Sequence, residues 1–203
     1  VTVKNAERSL GKISKLLEKK HDAREFLIKN SRGIVIACSK SIIAVHRGDM
    51  REAESGLQNA GRLLKEYRKK SDCELKKYLV VPEQEFVEAA ALIAIAEKNQ
   101  IPSRDTLKVS EEAYVLGLLD CIGELKRFVL DRIRSDCLSE AMRVFHVMEE
   151  LFSLLYPFAG LDRVIKEARR KIDVNRMLVE DTRAIVTQEI RRKDLIDTIK
   201  GLD

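Results

Sequence analysis

Four acids lie inside the most apolar parts of a chain whose other acids mostly alternate with Lys and Arg. They are Glu85 and Glu88 in PEQEFVEAAALIAIA (82–96), and Asp120 and Glu124 in YVLGLLDCIGELKRF (114–128). Carboxylates in such surroundings are costly to bury unless a cation compensates them. Residues three or four apart on a helix share a face, so each pair presents two carboxylates on one stripe. The first stripe continues into Leu92 and Ile95, the second back into Gly117 and Leu116. Four carboxylates converging from two packed helices repel and raise one another's proton affinity unless a divalent ion neutralises them. All-oxygen ligation suits Mg²⁺, with Mn²⁺ the other hard candidate. Gly117 and Gly123 flank Asp120 and are expected to leave room for an ion, its waters and a phosphate. The chemistry such a site supports is activation of water against a phosphodiester. In a chain with 33 acids, however, pairs of this kind arise by chance, and spacing alone favours plain pairing of Glu85 or Glu88 with a Lys or Arg of a neighbouring helix.

Basic residues are placed to meet a polyanion. Lys126 and Arg127 fall one turn beyond Glu124, and Arg24, Arg32, Lys40 and Arg47 recur along the first long helical stretch, where they could line a track for a nucleic-acid strand. A solvated stripe is the default reading of both sets. Only three histidines occur. His46, beside Arg47 at a turn, is expected to be exposed, and His146, following Phe145 on an apolar helix, partly buried. Glu18 and His21 form one Glu-x-x-His, but a di-iron bundle needs that motif twice. Aromatics for base stacking are scarce, which points to backbone-dominated recognition that weakens as salt rises.

The elements that must position these groups are helical. Charged residues make up 35% of the 203, aromatics 5%, there is no Trp and there are three Pro, and Leu, Ile, Val and Ala recur at helical spacing, so the fold class is all-α. Helices are expected over about 4–47, 50–70, 82–100, 111–134 and 138–156. A short helix is expected within 71–81, a further turn near Pro102 and Ser103, and one long charged helix from 161 to about 199. Gly48 stops the first helix, Asp49 caps the second, Ser135 or Asp136 caps the one starting at 138, and Gly33 marks a bend or close contact. No repeat or linker interrupts the chain, so 1–203 reads as a single domain. The C-terminal apolar face (Ile165, Ile172, Leu178, Val179, Ile185, Val186) is expected in the internal core, with a subunit interface as the other use.

A net charge of +5 and a pI near 9.0 permit a nucleic-acid partner without demanding one. The four cysteines (Cys38, Cys73, Cys121, Cys137) form no Cys-x-x-Cys pair, which suggests free thiols and a reducing compartment. With no apolar run of about 18 residues, the expectation is a cytoplasmic protein away from membranes.

At the same residues the chain resembles the translin family, and within it the branch of translin-associated factor X. YVLGLLDCIGELKR (114–127) is similar to that branch's Tyr, Gly, Asp, Gly-Glu-Leu-basic pattern. EQEFVEAAAL (83–92) is similar to its Gln-Glu-Tyr-Val-Glu-Ala block, with Phe86 replacing Tyr. HDAREFLIKNSRGIVIACSKSIIAVHRGD (21–49) resembles its first helix more weakly. The resemblance implies a bundle of about seven helices and a Mg²⁺-dependent endoribonuclease for single-stranded RNA inside a hollow octameric shell. Glu85, Glu88 and Asp120 match its catalytic, metal-holding positions, and Glu124 matches a further ligand beside them. Translin itself binds nucleic acid and lacks the acid pair of the first block, so the chain resembles the factor X branch. It is shorter than that branch, without its basic N-terminal extension or long insertion, a compactness that looks prokaryotic and archaeal in style and favours a homo-oligomer over a mixed complex with a translin-like partner. The alternative is a non-catalytic shell that binds single-stranded RNA or DNA.

Overall fold

Local signals in the chain set most helix boundaries. The computed structural model describes residues 3–72 and 74–200, so Cys73 lies outside the described residues. Helix α1 (Lys4–Arg47) ends where Gly48 adopts a left-handed φ of 80° and its N–H returns to the carbonyls of Ala44 and Val45. Asp49 then caps α2 (Met50–Arg68), its carboxylate accepting from the Glu52 N–H at 2.9 Å. The two helices form a hairpin. Ser41 donates to the Ala53 carbonyl at 2.8 Å, and a Cβ on Gly56 would collide with the Ser41 hydroxyl. Gly33 has open space around it, so it does not mark a close helix contact.

A 3₁₀ turn over Leu75–Leu79 leads into α3 (Val80–Ala96), with Pro82 in its first turn, where no backbone donor is needed. Helix α3 is apolar around most of its circumference and is buried accordingly. It stops at Ala96, short of the expected residue 100, because Lys98 takes a left-handed φ of 63°. A single turn, α4 (Arg104–Leu107), precedes α5 (Glu111–Arg134). Ser110 caps α5 by accepting from the Ala113 N–H at 3.3 Å. Helix α6 (Leu138–Leu155) starts without a side-chain cap, because Asp136, one expected cap, is itself in a left-handed turn at φ 56°.

The last helix departs from the sequence expectation. After a 3₁₀ stretch over Tyr156–Leu161 the chain stays in turns, and α7 (Ala168–Lys200) begins seven residues later than expected. Glu167 is left-handed at φ 71°, and the Asp162 carboxylate accepts from the Arg169 N–H at 3.1 Å. A side chain that caps from outside competes with continuation of the helix.

Seven α-helices and no strand are present among the described residues, so the protein is all-α. Helices α3 and α5 pack against each other most extensively, with α1 against α3, and α6 and α7 against α5. One continuous cluster of buried apolar side chains runs from Leu27 to Val186. Ile165, Ile172, Val179 and Val186 belong to it and Leu178 packs on it half-buried, so most of the expected C-terminal face serves the core, while Ile185 is half-buried outside the cluster. In contrast, the first turns of α1 project with Leu10, Ile13, Leu16 and Leu17 exposed. No helix among the described residues is long and apolar enough to cross a membrane.

Candidate metal centre

The site forms where α3 and α5 approach most closely, and a glycine permits that approach. A Cβ on Gly117 would lie 2.5 Å from the Gln84 carbonyl and 2.7 Å from the Val87 Cβ. Gly117 is therefore filled by α3 and leaves no room for an ion, contrary to the sequence expectation; Gly123 does face open space. The close contact carries Gln84, Glu85 and Glu88 of α3 toward Asp120 and Glu124 of α5.

Each acid has its own surroundings. Asp120 has both oxygens engaged: Oδ2 accepts from the Gln84 amide and Oδ1 pairs with the Lys171 ammonium of α7. Glu124 accepts from His46 Nε2 at 2.6 Å, with Arg127 further off at 3.9 Å. The His46 bond, opposed by partial burial, holds the Glu124 carboxyl below its ordinary value. Glu85 and Glu88 have no hydrogen-bond or ion-pair partner among the described residues. Burial first, then the charge of Asp120, raises both, and Glu85 and Glu124 add to the effect on Glu88. The Glu88 carboxyl is pushed up to about 8. The four acids thus share one electrostatic neighbourhood. Even so, no group of three or more His, Cys, Asp or Glu side chains among the described residues is closed up as a metal cage.

A neighbouring acid shows the ordinary alternative. Glu83, on the same helix and almost fully buried, accepts from Arg68 Nε at 2.9 Å and from the Ser110 N–H at 2.9 Å. Its charge is satisfied structurally. Glu85 and Glu88, two and five residues on, have no such cation. Below them Cys38 and Cys121 are fully buried. Burial and the nearby acids push the Cys38 thiol up to about 12 and raise Cys121 as well, so both pack as protonated side chains.

The histidines reverse their sequence expectations. The His46 side chain is 3% exposed, held between Glu124 and Asp131, whose Oδ2 lies 3.4 Å from Nδ1. Glu124 and Asp131 are two turns apart on one face of α5, which makes a slot for the ring. His146 is exposed and pairs with Glu150 at 3.4 Å, because the residue next to a buried Phe145 points about 100° away from it. Among the basic candidates, Arg32, Lys40 and Arg47 are exposed and without an ion-pair partner among the described residues. Arg24 is instead engaged by Tyr78 at 2.9 Å and by Glu25, and Lys126 by Asp181 at 3.2 Å. Of the six, Arg127 alone pairs with one of the four acids among the described residues. Sequence reasoning missed Gln84 and Lys171 altogether, since their partnership with Asp120 spans 36 and 51 residues and leaves no trace in spacing.

The translin family profile matches residues 22–182. The chain belongs to the translin family. It is 36% identical over 187 residues to the uncharacterized protein MJ0175 of Methanocaldococcus jannaschii, covering 91% of this chain and 84% of that protein. Among solved structures it is similar to AfC3PO in complex with duplex RNA, at 30% identity and a TM-score of 0.80, covering 91% of this chain and 97% of the other. A second crystal structure of AfC3PO, at 30% identity, superposes with a TM-score of 0.78, covering 91% and 98%. The apo form of NeC3PO, at 21% identity and a TM-score of 0.78 over 89% and 96%, shares the fold. The architecture is therefore that of the C3PO and translin-type proteins, and the archaeal relative agrees with a prokaryotic origin.

Proposed function

We propose that this translin-family protein is a divalent-metal-dependent endoribonuclease of the factor X type, with Glu85, Glu88 and Asp120 holding Mg²⁺ or Mn²⁺ and Glu124 as a further ligand. The observation that carries the reading is that Glu85 and Glu88, two half-buried carboxyls beside two more acids, have no hydrogen-bond or ion-pair partner among the described residues, and burial with the charge of Asp120 raises both, Glu88 to about 8. The donor set fits a hard ion, being all carboxylate, with the neighbouring thiols held protonated. A divalent ion bound there supplies Lewis-acid stabilisation of phosphate oxygens and a water of lowered proton affinity.

The chain's own residues do the rest. Gln84 fixes the rotamer of Asp120 and His46 that of Glu124, the supporting hydrogen bonds that metal-holding carboxylates need. Arg127 stands at the edge, where it can meet a phosphate oxygen. Arg32, Lys40 and Arg47 are free to contact the strand through its backbone. The relative solved with duplex RNA supports RNA as the ligand class. We take single-stranded RNA as the cleaved form. The exposed apolar start of α1 supports assembly into a homo-oligomer, for which an octameric shell is the proposed form.

A second reading is a non-catalytic RNA-binding shell. It is favoured by the pairing of Asp120 with Lys171 and of Glu124 with His46, which already satisfies two of the four acids. Incubating labelled single-stranded and duplex RNA with the protein, with Mg²⁺ or with EDTA, separates the two. Cleavage that EDTA and Asp120→Asn abolish, with RNA binding retained, supports the nuclease; metal-independent binding without cleavage refutes it.

A further inference from the structure

The ion pair between Lys171 and Asp120 differs from most others in the molecule. Many of the remainder are exposed pairs three or four residues apart on one helix. This one joins α7 to α5 across 51 residues, with both side chains largely withdrawn from water at 19% and 24% exposure. Its position is built. Lys171 lies in the first turn of α7, whose start is fixed by Asp162 on the Arg169 N–H and by the buried Ala168 and Ile172. One turn further on, the buried Asn175 amide donates to the Leu119 carbonyl at 2.8 Å, which ties α7 to α5 at the residue before Asp120. The ammonium is thus delivered to Asp120 by the backbone.

We infer that Lys171 is the resident counter-cation of the carboxylate site, competing with a divalent ion for Asp120 and so setting the site's metal affinity. The inference rests on the metal reading above. A carboxylate has two oxygens, and in Asp120 the Gln84 amide takes one while Lys171 takes the other. A divalent ion that binds through Oδ1 must displace the ammonium or share the oxygen with it, and either costs free energy. Lys171 therefore plays, at Asp120, the part that the ion would take over. It is a positioning residue, since it acts through Asp120.

The test is Mn²⁺ binding, followed by calorimetry and by loss of the free-ion paramagnetic resonance signal, on wild type, Lys171→Met and Lys171→Arg. Methionine keeps the apolar stem and removes the charge. Competition predicts that Lys171→Met binds Mn²⁺ about tenfold more tightly than wild type, or ~1.4 kcal/mol. Lys171→Arg should bind more weakly, because a guanidinium can hold both carboxylate oxygens. A merely structural lysine predicts the opposite for methionine, a loss of affinity through loosening of α7. Wild type that binds while Lys171→Met binds equally or less overturns the inference and leaves the metal reading standing. Wild type that binds no Mn²⁺ overturns the metal reading, and the inference with it. Circular dichroism confirms the helical fold of each variant, and if Lys171→Met does not fold, Lys171→Gln is read by the same criterion.

Discussion

Replacing Glu88 by Gln should make the metal-free protein more stable, and by an amount that grows with pH. In the folded protein the Glu88 carboxyl is raised from an ordinary 4.5 to about 8 by burial and by the charges of Asp120, Glu85 and Glu124. Between those two values the folded state binds more protons than the unfolded state, so stability must fall as pH rises through the window. Below about 4.5 the acid is neutral in both states and the loss is absent; above about 8 it is complete. The full shift corresponds to ~5 kcal/mol at 1.36 kcal/mol per unit. Because the carboxylate still reaches water, about 2 kcal/mol is the working expectation. Glutamine has nearly the same shape and no charge, and Glu88 gives up no hydrogen bond among the described residues. Glu88→Gln should therefore match wild type near pH 5 and exceed it by about 2 kcal/mol near pH 9, roughly 4–8 °C in melting temperature for a chain of this size. Thermal melts in EDTA across that range measure the difference directly. Adding Mn²⁺ should recover the deficit in wild type only, by mass action on the folded state. A wild-type minus variant difference that stays flat with pH would refute the view that Glu88 carries an uncompensated charge.

Three further outcomes follow from the same geometry. Gly117→Ala should cost about 1–3 kcal/mol in denaturant unfolding, since its methyl group meets the α3 backbone, and should slow RNA cleavage by separating Gln84 from Asp120. His46→Ala removes the ring from between Glu124 and Asp131 and leaves two half-buried carboxylates without it, so a loss of about 2 kcal/mol is expected by the same measurement; stability equal to wild type would contradict the buried clamp. RNA affinity should fall log-linearly with salt in filter-binding titrations, and the triple variant Arg32→Ala, Lys40→Ala, Arg47→Ala should flatten that slope by about 1–3. An unchanged slope would place the RNA elsewhere.

Much of the fold was legible because its signals are local. The end of α1 and the start of α2 follow from Gly48 and Asp49, residues whose backbone or side chain satisfies the nearest helix end. The late start of α7 was not legible: residues 161–167 carry helical spacing, and only the Asp162 cap and the left-handed Glu167 show that the chain turns first. The same division holds at the site. Acids three or four apart on an apolar stripe single out Glu85, Glu88, Asp120 and Glu124, and all four do share one neighbourhood. What neutralises them depends on tertiary packing. His46 meets Glu124 across 78 residues and Lys171 meets Asp120 across 51, distances over which periodicity carries no information. Gly117 was misread for a related reason: a glycine in a helix leaves a gap, and the sequence does not say whether an ion or a second helix fills it.

The most direct test of the metal reading is anomalous diffraction from crystals soaked in Mn²⁺. A peak is expected in contact with Glu85, Glu88 and Asp120, with Lys171 displaced from Asp120. Crystals in which Glu85 and Glu88 contact no ion at saturating Mn²⁺, while Lys171 stays on Asp120, would contradict it.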